Sequence, residues 1–218
     1  MKNFRDYIVD PNPIVERLTQ ETKKQTDMLV DTVYSHYVKE YTKNQPECVG
    51  WLDGTENALT RNEKLYEAGI LDEDSILDVG CGVAHFYEFL NNQGWKGKYL
   101  GIDPNKEAIE LIDEDINAMC GTIEDLPDFM KYDWVIASGV FNVGLQESLA
   151  FWTIHNMICR AKKGIVFNML TRPYEHKSYK AYDSEWVKKK LSEYDNKEIK
   201  IVDGYFKDNA EFTVYFYI

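Results

Sequence analysis

Short apolar runs alternate with amphipathic stretches along residues 75–218. Compact apolar runs bounded by turn residues are typical of buried strands, whereas apolar residues at helical spacing indicate one buried face of a helix. Because the two patterns alternate, they predict an α/β fold with a mostly parallel sheet. The predicted strands are 75–80, 98–103, 118–121, 132–138 and 164–170, and helices are predicted from 86, over 104–112, over 146–160 and over 184–194.

Two further apolar runs close the chain, at 198–202 and 212–218. Both alternate apolar and polar residues, and a short loop joins them. This arrangement predicts an antiparallel pair of strands at the edge of the sheet. The expected sheet therefore has seven strands.

The N-terminal part, residues 1–70, has a helical and polar pattern. Apolar and aromatic residues at helical spacing predict a long helix that ends before Pro46, and a second helix is predicted over 56–68 with Gly69 as its stop. We expect residues 1–70 to form a helical lid and residues 71–218 to form one compact domain, since 218 residues lie near the top of the single-domain range.

Composition narrows the class of partner. The net charge is −12, whereas nucleic-acid binding requires a basic face that displaces counterions, so we expect no nucleic-acid partner. The chain has no long apolar stretch and its start is polar, which favours a cytoplasmic protein, monomeric or homodimeric, without a membrane partner. No metal site is predicted, because the four cysteines lack zinc-ligand spacing: Cys48, Cys81, Cys120 and Cys159.

A glycine-rich turn, 78–82, links the first predicted strand to its helix. Glycine is needed where the backbone turns sharply or approaches a ligand closely, and Gly80 and Gly82 fit that need. Asp103 ends the next strand, about 20 residues later, where an acidic side chain bonds the ribose of a nucleoside cofactor in this type of sheet. The alternative role for Asp103 is a helix N-cap, since Pro104 follows it.

The glycine turn lacks the third glycine of a dinucleotide site, and His85 stands in that position. Asp78 within the turn suits a cofactor with a cationic, phosphate-free end. The Asp-x-Gly-x-Gly pattern resembles the first motif of the class I S-adenosylmethionine-dependent methyltransferases, which implies their Rossmann-like, seven-stranded fold. More narrowly, the chain resembles an uncharacterised bacterial and phage group of these enzymes, through residues 49–51, 61, 137–143, 166–171 and 211–215, although His85 replaces an expected aspartate.

The resemblance implies that S-adenosylmethionine is the cofactor and that four segments hold it. Asp78, Gly80, Cys81 and Gly82 would hold the methionine half, Asp103 the ribose, and Pro104 would lie beside the adenine. Glu124 or Asp125, after Ile123, would meet the adenine amino group, and Ser138, Gly139 and Val140 would cover the sulfonium.

Candidates on the remaining sides of the site come from the predicted lid and the strand ends. Trp51 lies in a glycine-flanked segment and is expected to hold the sulfonium by cation–π attraction. Arg61 is expected to bind the cofactor carboxylate, with a surface salt bridge as the alternative. Substrates lie outside the carboxyl ends of the strands, and the substrate-side candidates are Tyr37, Tyr41, Phe141, Asn142, Asn168 and Arg172. The tyrosines have the buried stripe of their helix as an alternative role.

The class of methyl acceptor is inferred by excluding classes of methyltransferase whose motifs the sequence lacks. Residues 138–141 are not the Asn/Asp-Pro-Pro-aromatic tetrapeptide of amino methyltransferases acting on adenine, no cysteine follows a proline, and no carboxylate follows the fourth strand. We therefore expect in-line methyl transfer to a small-molecule acceptor, which needs positioning more than a strong catalytic signature. Weak catalytic candidates are His85, Asn142 and His155. The alternatives are a protein that binds or cleaves S-adenosylmethionine without methyl transfer and, less favoured, a nicotinamide oxidoreductase.

Overall fold

The structure, a computed structural model, describes residue 28 and residues 34–51, 54–142, 147–171, 179–194, 197–206 and 210–218. Seven strands form one sheet in the order β3-β2-β1-β4-β5-β7-β6. The strands are β1 (Ile76–Val79), β2 (Tyr99–Asp103), β3 (Ala118–Cys120), β4 (Tyr132–Ala137), β5 (Ala161–Leu170), β6 (Glu198–Val202) and β7 (Glu211–Tyr217). Neighbours among β1 to β5 are parallel, and β7 is antiparallel to both β5 and β6.

Helices cover both faces of this sheet. They are α1 (Thr55–Tyr66), α2 (His85–Asn92), α3 (Lys106–Glu110), α4 (Glu147–Arg160) and α5 (Ser184–Leu191), with single 3₁₀ turns at Pro46–Val49, Ile123–Asp125 and Val140–Asn142. Residues 34–40 are also helical. The expected α/β fold, with seven strands and an antiparallel edge pair, is confirmed.

Alternate residues of the strands pack into two apolar clusters, one on each face of the sheet. Leu77 and Val79 of β1 point to the face that α4 and α5 cover, whereas Ile76 points to the face that α1 and α2 cover. Side chains of a strand alternate between faces, so a strand in the middle of a covered sheet is apolar on both. This explains why the central runs of the sequence are continuous rather than alternating.

The structure differs from the sequence-based prediction at three elements. β7 is continuously buried along Glu211–Phe216 rather than alternating between buried and exposed residues, because it lies between β5 and β6. β5 begins at Ala161 rather than at 164. α3 is shorter than 104–112, and Asn105 is its N-cap, with its side chain accepting from Ala108 N.

The strand order reverses between β1 and β4: β2 and β3 lie on one side of β1, and β4 and β5 lie on the other. β1 is flanked by β2 on one side and by β4 on the other. In open α/β sheets a crevice forms at the carboxyl ends of the strands at such a point, and ligands bind there. The glycine turn follows β1 and therefore lies at this position.

Candidate cofactor and active site

The glycine turn is held by β2 and is closed in by two valines. Gly80 N and Cys81 N both donate to Ile102 O, at 2.7 and 3.2 Å. Gly80 and Gly82 have φ of 72° and 56°, the left-handed region that favours glycine. A methyl group on Gly80 would lie 2.4 Å from Val140 Cγ2, and one on Gly82 would lie 2.5 Å from Val49 Cγ1. Both glycines are therefore required by conformation and by close approach.

Ala84, which lies between the glycine turn and His85, has an unusual backbone conformation. Its φ is 66°, it immediately precedes α2 as the N-cap, and it is fully buried. A non-glycine residue in this region carries backbone strain of about 1 kcal/mol or more. This strain therefore lies directly between the glycine turn and the first residue of α2.

Asp103 joins the end of β2 to the glycine turn. Its carboxylate accepts from Gly82 N and from Asn105 N, both at 2.8 Å. Burial raises the pKa of Asp103, although these two hydrogen bonds lower it. α3 is capped by Asn105 and not by Asp103, so the N-cap alternative is wrong. The carboxylate lies beside the turn at the carboxyl end of the sheet, and its role toward a ribose stays a prediction.

Asp78 lies within β1, two residues before Gly80, and is buried. The side chain is 3% exposed and accepts a hydrogen bond of 2.7 Å from the Tyr99 hydroxyl. Burial raises the pKa of Asp78 to about 7, while the Tyr99 hydrogen bond lowers it and Asp103 raises it. Burial also raises the pKa of the Cys81 thiol, and Cys81 packs against Gly101. A contact from Asp78 to the cofactor amino group therefore remains a prediction.

The loop after β3 separates the two acidic candidates for adenine. Asp125 Oδ2 accepts from Thr122 N at 2.7 Å and from Thr122 Oγ1 at 3.1 Å, which completes a capping box. Ile123 is buried, Glu124 is half-buried and Asp125 is exposed. The Asp125 carboxylate thus caps its own turn, and a contact from Glu124 or Asp125 to the adenine amino group stays a prediction.

The loop after β4 is held by two buried asparagines. Asn168 Oδ1 accepts from Gly139 N at 2.7 Å, and Asn168 Nδ2 donates to Ser138 Oγ at 3.2 Å. Asn142 Oδ1 accepts from Leu170 N at 3.1 Å, and Phe141 is buried edge-on against Phe167. These predicted substrate-side residues therefore shape the loop that was predicted to cover the sulfonium.

Residues 34–51 lie across the glycine turn and α3. Ser35 Oγ accepts from Asn105 Nδ2 at 3.1 Å, and the Lys43 carbonyl oxygen lies 2.5 Å from His85 Nε2. Tyr41 packs with Val49 against a small buried cluster that includes Val83 and Ala108. Two ion pairs at the surface join the same parts of the chain, Lys39–Glu107 at 2.8 Å and Lys43–Asp113 at 2.7 Å.

Tyr37 lies in the same segment, half-buried and with its ring near those of Tyr34 and Tyr41. The ring edge of Tyr37 also lies against Gly50. Tyr37 thus packs within its own segment, and Tyr41 also packs against the cluster that includes Val83 and Ala108, so both agree with the alternative of a buried stripe. A substrate contact from Tyr37 or Tyr41 stays a prediction.

Trp51 and Arg61 form one unit with β7. A methyl group on Gly139 would lie 2.9 Å from Trp51 Cζ2, so the indole rests on the loop after β4. The Arg61 guanidinium lies 3.8 Å from the centre of the Trp51 ring, and its Nε donates to Glu211 Oε2 at 2.9 Å. Arg61 is only 7% exposed, so the predicted surface salt bridge is in fact a buried one.

The partners of Arg61 were not predictable from the sequence. Glu211 is 1% exposed and also accepts from the Tyr205 hydroxyl at 3.0 Å, while the Phe206 ring lies 4.8 Å from the guanidinium. The one sequence signal was a glutamate at the head of an otherwise apolar strand, because a fully buried carboxylate needs a charged partner. The identity of that partner, 150 residues away, could not be read from the pattern.

One catalytic candidate, His155, contacts residues outside the candidate site. His155 is on α4, with Nδ1 2.9 Å from the Tyr194 hydroxyl and Nε2 3.4 Å from Cys159 Sγ, and burial lowers its pKa. His155 therefore packs toward the end of α5 rather than toward the glycine turn. Arg172 lies outside the described residues. Within the described part of the chain, no three His, Cys, Asp or Glu side chains are grouped to hold a metal ion, and every helix is too short or too polar to cross a bilayer.

Comparison with known proteins agrees with this architecture. Residues 76–160 match the family model of a methyltransferase domain. The N-methyltransferase NodS of Bradyrhizobium japonicum, solved with S-adenosylhomocysteine, superposes with a TM-score of 0.64 at 18% identity, covering 87% of this chain and 98% of that one. The chain has the α/β methyltransferase fold. Magnesium protoporphyrin IX methyltransferase of Synechocystis, solved with bound S-adenosylmethionine, shares this methyltransferase fold with a TM-score of 0.60 at 15% identity, over 74% of this chain and 78% of that one.

A curated relative extends the likeness to sequence. A Mycobacterium tuberculosis protein, Rv1506c, which is provisionally named a methyltransferase, is 32% identical over 112 residues, or 46% of this chain. The chain spans 65% of the length of that relative. The methyltransferase fold is thus supported by independent comparisons, and two of the solved structures that share it hold S-adenosylmethionine or S-adenosylhomocysteine.

Proposed function

We propose that the protein transfers a methyl group from S-adenosylmethionine to a small-molecule acceptor. The observation that carries the proposal is the pairing of Asp103 with Gly82 N at 2.8 Å, which joins the acid at the end of β2 to the glycine turn at the point where the strand order reverses. A nucleoside cofactor fits this pairing, because the turn offers close backbone approach and the acid offers acceptors for ribose hydroxyls.

The other cofactor contacts are assigned from the same edge of the sheet. Gly80, Cys81 and Gly82 would line the methionine half, and Glu124 would accept from the adenine amino group. Ser138, Gly139 and Val140 would face the sulfonium, with the Trp51 ring supplying cation–π attraction. Asp78 would support the amino group of the cofactor, directly or through water. In this arrangement the lid, residues 1–70, would exclude water from the site.

Bound S-adenosylmethionine supplies a methyl group on a positively charged sulfur. The acceptor lone pair forms the new bond to carbon, the carbon–sulfur bond breaks with its electrons passing to sulfur, and the acceptor proton leaves to water or to a base. The residues of this chain hold the two partners in line at near-attack distance, which can supply several kcal/mol of the barrier reduction. The acidic surface, with net charge −12, favours a small acceptor over nucleic acid.

Calorimetry with S-adenosylmethionine and S-adenosylhomocysteine tests the proposal. Asp103→Ala should weaken both affinities by about 1–3 kcal/mol, the scale for losing hydrogen bonds to a charged group. The exposed Asp115→Ala is the matched control and should leave them unchanged. No binding of either compound at millimolar concentration would refute the proposed cofactor.

The products formed without an acceptor decide between methyl transfer and the alternative function. Steady conversion of S-adenosylmethionine to methylthioadenosine would indicate an enzyme that cleaves the cofactor. Cofactor that stays intact until a small-molecule extract is added, and that is then converted to S-adenosylhomocysteine, would support methyl transfer. Mass spectrometry of the same reaction would identify the methylated acceptor.

A further inference from the structure

The Arg61 guanidinium is enclosed on several sides at the carboxyl edge of the sheet. Trp51 and Phe206 offer their rings at 3.8 and 4.8 Å, and Glu211 pairs with Arg61 Nε at 2.9 Å. Tyr205 donates to the second oxygen of Glu211 at 3.0 Å. The arginine and the glutamate side chains are 8% and 1% exposed, so the pair is buried.

This cluster leads to the loop predicted to cover the sulfonium. The Trp51 ring lies between the Arg61 guanidinium and Gly139, where a methyl group would come within 2.9 Å of the ring. The other side of Gly139 is held by Asn168, through the bond of 2.7 Å from the Gly139 amide. A continuous series of contacts therefore joins Glu211 on β7 to the loop after β4.

A buried ion pair is weak evidence for stability. Removing two charges from water costs several kcal/mol per ion, and the attraction between them often does no more than offset this cost. The pair does constrain geometry, because a planar guanidinium that is ion-paired at its edge stacks flat on an aromatic ring. The ring fixed here is Trp51, which occupies the wall of the candidate site.

We propose that Glu211 is a positioning residue, which holds Arg61 flat against Trp51 and so keeps the indole on Gly139 beside the bound sulfonium. Arg61 acts through Trp51 and does not bind the cofactor carboxylate itself. The inference rests on the proposed cofactor. Cofactor affinity then depends on Glu211, Arg61 and Tyr205 through the position of the Trp51 ring.

A double-mutant cycle with S-adenosylhomocysteine tests this assignment. Glu211→Gln and Arg61→Met should each weaken the affinity for S-adenosylhomocysteine about tenfold when Trp51 is present. An effect of this size is typical of the energetic coupling between residues in contact. In a Trp51→Leu background both substitutions should change affinity less than about twofold, because the ring they position is gone. Arg61→Lys should fail to restore affinity, since an ammonium cannot stack as a guanidinium does.

The tryptophan fluorescence supplies a second readout. The contribution of Trp51, obtained by subtracting the spectrum of the matching Trp51→Leu protein, should become more accessible to acrylamide in Glu211→Gln. Tyr205→Phe removes one hydroxyl bond to Glu211 and should show a smaller change in the same direction, which keeps the test available if the charge variants fold poorly.

Asp74→Asn is the matched control. Asp74 is also a buried carboxylate in an ion pair, with Lys163 at 2.5 Å, but it precedes β1 at the opposite edge of the sheet. This variant should lose stability without losing affinity.

Equal losses of affinity for Arg61→Met with and without Trp51 would overturn the proposal in favour of direct cofactor binding. Wild-type protein that binds no S-adenosylhomocysteine would instead overturn the proposed function, and the inference with it.

Discussion

Three carboxylates at the carboxyl edge of the sheet have different partners. Asp103 accepts from two backbone amides, Asp78 from a tyrosine hydroxyl, and Glu211 is paired with an arginine. A carboxylate is stabilised when its partners are charged or numerous and is penalised when burial dominates. Asp78, with a single neutral partner, therefore has the strongest reason to take up a proton.

Asp78→Asn tests the cost of that burial. The pKa of Asp78 is about 7 in the folded protein, well above the ordinary value near 4 of an unfolded chain. The folded state then binds more protons, so wild-type stability falls as the pH rises from about 4 to 7 and changes little above that from this group. Asparagine keeps an acceptor for the Tyr99 hydroxyl and removes the charge.

The variant should therefore gain stability relative to wild type at pH 8 but not at pH 4, by up to a few kcal/mol at about 1.4 kcal/mol per pKa unit. Urea unfolding at both pH values measures the difference. The exposed Asp72→Asn provides the control for a change of net charge. A difference between variant and wild type that is the same at pH 4 and pH 8 would mean that burial does not raise the pKa of Asp78 above its value in the unfolded chain.

The elements were more predictable than the contacts between them. The five parallel strands follow from apolar runs bounded by turns, and the edge pair follows from two runs joined by a short loop. The glycine turn and Asp103 were predictable because their spacing is local. The pairing of Arg61 with Glu211 and the packing of 34–51 on the turn depend on residues far apart in the chain, where periodicity carries no information.

His85 contacts a residue that is distant in the sequence. It replaces an expected aspartate at the start of α2, and its Nε2 donates to the Lys43 carbonyl oxygen at 2.5 Å. His85→Ala should loosen residues 46–51, because a net hydrogen bond contributes about 0.5–1.5 kcal/mol. That energy corresponds to amide exchange that is about two- to tenfold faster.

Hydrogen exchange followed by mass spectrometry measures the effect at Gly50 and Trp51, whose amides donate to Glu47 and Pro46 carbonyls. Lys106→Ala, which breaks the exposed Lys106–Glu110 pair within α3, is the control and should leave this exchange unchanged. Unaltered exchange in His85→Ala would show that the segment is held by its other contacts alone.

At the scale of the whole molecule, two groups of strands contribute residues to the candidate site. The glycine turn and Asp103 extend from β1 and β2, whereas Asn168 and Glu211 extend from β5 and β7. β7 pairs with β5 along Gly164–Leu170, and its Phe212, Val214 and Phe216 complete one apolar face. The strand that closes the core therefore also carries the carboxylate that is proposed to position Trp51.

Phe216→Ala separates these two roles of β7. Phe216 is fully buried near the end of β7 that lies away from Glu211, so the change should cost about 3–5 kcal/mol of unfolding free energy. Phe129→Ala, at a side chain that is 82% exposed, should cost less than about 0.5 kcal/mol. Well below the melting temperature, both variants should bind S-adenosylhomocysteine like the wild type, because the folded state keeps Glu211 in register with Leu170. Affinity that falls in Phe216→Ala while the protein remains folded would mean that the whole strand, and not its first residue alone, determines the position of the Trp51 ring.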